Sequence, residues 1–92
     1  MIKAFLSGKV KDYENVGDEV GMLIIEELDE KQNFYCFYEK HLFSNLFNRV
    51  FNKKVFVTGK MEYIRVLLDE KKLVRRLLAL RIEEIEVLSD DF

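Results

Sequence analysis

The sequence predicts an all-β chain with one short helix, a five-stranded barrel whose helix lies between the third and fourth strands. Three observations carry this. Apolar and polar residues alternate with period two at the start of the chain and again in two segments of its second half. The run Phe34-Tyr35-Cys36-Phe37-Tyr38 has the aromatic density of a strand. Only one segment, 41–51, carries apolar residues at helical spacing.

Taken in order, Ile2, Ala4, Leu6, Gly8 and Val10 alternate with Lys3, Phe5, Ser7, Lys9 and Lys11, as in a strand with one buried and one solvated face. Residues 12–18 (DYENVGD) hold Asn15 and Gly17 among acids and read as a turn. Gly21 to Ile25 is a short apolar run suited to a central strand. The polar stretch 26–33 (EELDEKQN) links it to the aromatic strand 34–38, and the two form a hairpin. In 41–51, Leu42, Leu46 and Val50, with Phe43 and Phe47, repeat every four residues, and Asn52 supplies a stop. Alternation returns from Lys54 to Tyr63 and from Arg76 to Ile82, around the charged turn Asp69-Glu70-Lys71-Lys72, as a final hairpin.

Proline is absent and glycine occurs only at 8, 17, 21 and 59, so no flexible linker divides the chain. One domain over 1–88 is expected, with a short acidic tip over 89–92. At 92 residues such a domain buries about 60–65% of its unfolded surface. Its eight Phe and four Tyr exceed what that core needs, which points to an oligomer interface or a stacking surface.

Fifteen basic residues against seventeen acidic ones give a net charge of −2 and exclude a uniformly basic coat, leaving room for a local basic face. Cys36 has no second thiol for a disulfide or a zinc site and reads as a small buried hydrophobe. No window approaches the ~20 apolar residues of a membrane span, and a cytoplasmic setting is expected.

Strand, strand, strand, helix, strand, strand is the element order of the OB fold. Within it, Ala4-Phe5-Leu6-Ser7-Gly8-Lys9-Val10-Lys11-Asp12 resembles the first strand of bacterial single-stranded DNA-binding proteins, and Val55-Phe56-Val57-Thr58-Gly59-Lys60-Met61 resembles their fourth. Phe34 to Lys40 and the helix after them resemble that family's third strand and helix. These segments lie in order across about 80 residues. The chain departs from the family in having Tyr13 where a proline is usual and no Trp at all, with Val66 near a family Trp position. The resemblance implies an OB-fold barrel that binds single-stranded DNA in replication, recombination or repair. It also implies that Asp90, Asp91 and Phe92, an acidic tip ending in Phe, dock replication or repair proteins. Gly8 and Gly59 then serve as bend points or close-approach points of the barrel.

Binding without sequence preference needs aromatic faces for bases and cations for phosphates. Phe5, Tyr35, Phe37, Tyr38 and Tyr63 are the stacking candidates. Strand alternation sets Phe34, Cys36 and Tyr38 on one face and Tyr35 and Phe37 on the other. The family alignment puts Tyr38 at a stacking position, whereas packing of Cys36 turns Tyr38 inward unless a bulge intervenes. Lys3, Lys9, Lys11, Lys60, Arg65, Arg75, Arg76 and Arg81 are the phosphate candidates, with the acids clustered mainly at 26–30 and 83–91.

No nucleophile with a base, no phosphate loop and no metal-ligand spacing is present in the sequence. His41 is the lone histidine, and Glu83, Glu84 and Glu86 read as a solvated strand edge. The expected activity is therefore binding, with no catalytic residues, cofactor or metal. A homodimer or homotetramer is expected through Phe5 and either Leu77 or Leu78. A second reading is an OB-fold subunit of a replication or primosome assembly, with the aromatics turned to a partner chain.

Overall fold

The computed structural model describes the backbone of residues 2–68 and 73–89 and the side chains of 2–65 and 76–88. Five strands, β1 (Ile2–Asn15), β2 (Val20–Glu27), β3 (Asn33–Glu39), β4 (Lys54–Leu68) and β5 (Leu73–Ser89), and one helix, α1 (Leu46–Val50), follow the predicted order. The strands close into a barrel in the order β1-β2-β3-β5-β4, the OB fold.

The strands run longer than their alternation suggests. β1 continues through the expected turn to Asn15, because a register shift at Lys11 lets Asp12–Asn15 stay paired with Met22, Leu23 and their neighbours on β2. β1 thereby serves two partners, Ile2–Lys9 against β4 and Gly8–Asn15 against β2. Both partners meet at Gly8, where an added Cβ would collide with the carbonyl oxygen of Glu26 and stand 2.7 Å from Ile25 Cγ2. Gly59 has the same task at the β4–β5 register shift, since an added Cβ there would collide with the Arg81 carbonyl oxygen.

The barrel interior is filled by i, i+2 pairs from four strands: Leu23 and Ile25, Cys36 and Tyr38, Val55 and Val57, Leu80 and Ile82. Leu6 and Val10 complete it from β1. A parallel contact of two residue pairs, Cys36 with Leu80 and Phe37 with Arg81, closes the circle. The helix is shorter than predicted. Asn45 adopts a left-handed conformation (φ 54°) that breaks the helical run after Ser44, leaving one turn whose Leu46 and Val50 plug the barrel. Asn52, with φ 65°, ends it as expected. A second cluster, Met22, Phe37 and Ala79 with Val16, Val20 and Ile64 against it, lies outside the barrel where the base of the β4–β5 hairpin crosses β2 and β3. Among the described residues no helix is long and apolar enough to cross a membrane.

Candidate nucleic-acid interface

Beyond the barrel wall, β4 and β5 continue as a two-stranded hairpin paired as far as Leu68 and Leu73. Met61 opposes Leu80, Tyr63 opposes Leu78 and Arg65 opposes Arg76. Because side chains two apart share a face, the face that lines the barrel at Leu80 emerges into solvent at Tyr63 and Leu78, which are 63% and 52% exposed. The Arg76 guanidinium lies 4.7 Å from the centre of the Tyr63 ring, a cation–π contact. Arg65 and Arg76, both exposed, are cross-strand partners of like charge, a pairing that disfavours a sheet and that a bound anion would relieve.

Below this array a cleft of about 160 Å³ opens at the barrel mouth, lined by Ala4, Phe5, Leu6, Phe34, Tyr35, Met61, Leu78 and Leu80. Phe34 and Tyr35 are part-exposed at the start of β3, and Phe5 is among the most exposed apolar residues of the barrel. The cleft brings Phe5 and Tyr35 beside Leu78, the cross-strand partner of Tyr63, with Arg65 and Arg76 one pair further out, while the Phe5 ring itself meets Phe56 on the outer wall at 5.9 Å. Phe34 belongs to the cleft as well. The sequence signal for Phe34 was its place at the very end of an aromatic strand, where barrel closure no longer covers it.

Two stacking candidates are excluded from solvent. β3 pairs with β2 in unbroken register, so no bulge separates Tyr38 from the inward Cys36, and Tyr38 packs inside the barrel at 4% exposure. Its ring lies on Gly21, where a Cβ would come within 2.6 Å of Cζ, and meets Phe43 edge-on at 6.1 Å. Phe37, on the opposite face, is buried at 3% in the second cluster beneath the Arg81 guanidinium, 5.1 Å from its ring centre. Burial pushes the Tyr38 hydroxyl up to about 12, with Tyr13 adding to the shift, and burial pushes the Cys36 thiol up to about 12. Cys36 is therefore a packing residue with no thiolate at neutral pH.

The cations divide in the same way. Strand pairing sets Lys11 3.7 Å from Glu26, Lys60 3.6 Å from Glu83, and Arg81 3.1 Å from Glu62 and 3.4 Å from Glu39. Acids distant in sequence thus sit beside three of the predicted phosphate ligands, and the expected segregation of charge does not extend to them. Lys40, after β3, donates to Asn15 Oδ1 and the Gly17 carbonyl. Lys3 is exposed and opposes Lys60 in the β1–β4 register, and half-buried Lys9 lies where β1 passes from β4 to β2. The side chain of Arg75, the turn 69–72 and the tip residues Asp90, Asp91 and Phe92 lie outside the described residues. His41 is exposed, 3.9 Å from Glu39, ahead of the helix. No group of three or more His, Cys, Asp or Glu among the described residues is placed to hold a metal ion.

No protein-family model matches this chain, and no curated protein matches its sequence. Function is therefore read from the site itself.

Proposed function

We propose that this barrel binds single-stranded DNA without sequence preference, serving replication, recombination or repair. The observation that carries the reading is the exposed hairpin face on which Tyr63 and Leu78 lie beside the opposed Arg65 and Arg76, above an aromatic cleft. Aromatic and guanidinium planes accept any base by stacking, and a backbone phosphate between Arg65 and Arg76 converts their repulsion into two charge-assisted contacts. Phe34, Tyr35 and Phe5 continue the apolar track for the next bases. No reacting group is needed, and the protein acts by holding the strand.

Titration of a fluorescent oligo(dT) into the protein at several salt concentrations tests this. Binding is expected at low salt and should weaken steeply as salt is raised. Absence of binding at low salt contradicts the proposal.

One observation favours a second reading, an OB-fold interaction subunit of a replication or primosome assembly. The barrel-wall cations Lys11, Lys60 and Arg81 are already neutralised by acids, leaving an apolar mouth of Phe5, Phe34 and Tyr35 that suits a partner chain. Substituting Tyr35 and Tyr63 together separates the two. Loss of oligo(dT) affinity with unchanged partner binding supports the first reading, and the reverse supports the second.

A further inference from the structure

We infer that the outer edge of β5, between Glu83 and Leu88, accepts an extended basic segment of a partner polypeptide as an added strand. β3 meets β5 only at Leu80 and Arg81 and ends at Glu39, whereas β5 runs on to Ser89 with β4 on one side. Among the described residues no strand pairs with its other edge over that length. Such an edge presents a row of backbone donors and acceptors, a ready template for strand addition.

Apolar surface borders it. A groove of about 280 Å³ separates Leu42 and Phe43 from Ile82 and Glu83, and Leu42, Val87 and Leu88 are each more than two-fifths exposed. Charge selects the occupant. Glu83, Glu84 and Glu86 line the strand, and only Glu83 has an ion-pair partner among the described residues, Lys60. Arg81, at the groove's end, is held by Glu39 and Glu62. A second β5 edge laid alongside would set carboxylate against carboxylate, whereas a strand alternating Lys or Arg with apolar residues would pair with them. This site is separate from the hairpin face and does not depend on DNA binding.

The probes are a synthetic alternating Lys-Val peptide of about eight residues, enough for one strand, and its Glu-Val counterpart. Amide exchange and chemical-shift changes in the isotope-labelled protein provide the readout. The Lys-Val peptide is expected to protect alternate amides between Glu83 and Leu88, the Glu-Val peptide to protect none. The double variant Glu84→Lys, Glu86→Lys should weaken Lys-Val binding at least about tenfold while leaving the amide protection of the other strands unchanged. Equal response to both peptides, shifts confined to other strands, no protection at all, or protection in the free protein with a dimer in sedimentation that the double variant dissolves would overturn the inference.

Discussion

Tyr63 is the residue on which the proposed binding role turns, because it offers the most exposed aromatic ring of the described hairpin and already carries a guanidinium on it. Tyr63→Ala should cost about 1–3 kcal/mol of oligo(dT) affinity, roughly 5- to 150-fold, with circular dichroism unchanged. A similar loss from Lys11→Ala would instead mean that binding is spread over the barrel wall. The buried aromatics behave differently. Tyr38 has its pKa raised in the folded state, so folding favours the neutral phenol. The stability this contributes is complete below the unfolded value of 10.0 and is lost as pH rises through about 12. Thermal unfolding followed across that alkaline range should show the loss, and Tyr38→Phe should reduce it. Cys36 should likewise resist a thiol-specific alkylating reagent in the native protein at neutral pH and react only with unfolding.

At the scale of elements, the two barrel glycines set how close neighbouring strands come. Gly59→Ala places a methyl group against the Arg81 carbonyl, and should destabilise the protein by about 2–4 kcal/mol in urea unfolding. A change below about 0.5 kcal/mol would show that the β4–β5 register shift relaxes freely. The strands and their order were legible in the sequence because alternation at 2–10, 54–63 and 76–82 directly reports a one-faced strand. The irregularities were not. A register shift at Lys11 extends β1 through an acidic stretch that has turn composition, and another beside Glu83 sets Ile82 and Ile85 both against the core across two glutamates. The helix pattern over 41–51 was equally clear, yet a single left-handed Asn45 reduced it to one turn. Local composition does not encode these events, which barrel closure imposes from outside the segment.

For the whole molecule, the same closure decides which aromatics are available. Alternation places Phe5 and Tyr35 away from the interior, whereas Tyr63, Arg65 and Arg76 continue the inward-facing rows of Val55, Val57 and Leu80 and are exposed because the hairpin runs beyond the barrel. The sequence reading did not reach the burial of Phe37, because the cluster over its outer face is made by Val16, Ile64 and Ala79 from distant parts of the chain. Nor did it reach the ion pairs of Lys11, Lys60 and Arg81, which depend on strand register. Of the apolar residues that the sequence offers as oligomer contacts, Phe5 and Leu78 are exposed and Leu77 is half-buried. The central claim, that a strand of DNA crosses the hairpin face, is tested most directly by the salt dependence of oligo(dT) binding in the native protein and in the Arg65→Ala, Arg76→Ala double variant. If each arginine contacts one phosphate, the slope of log K against log[salt] should become shallower by about 1.4 in the double variant. An unchanged slope in a folded double variant would contradict it.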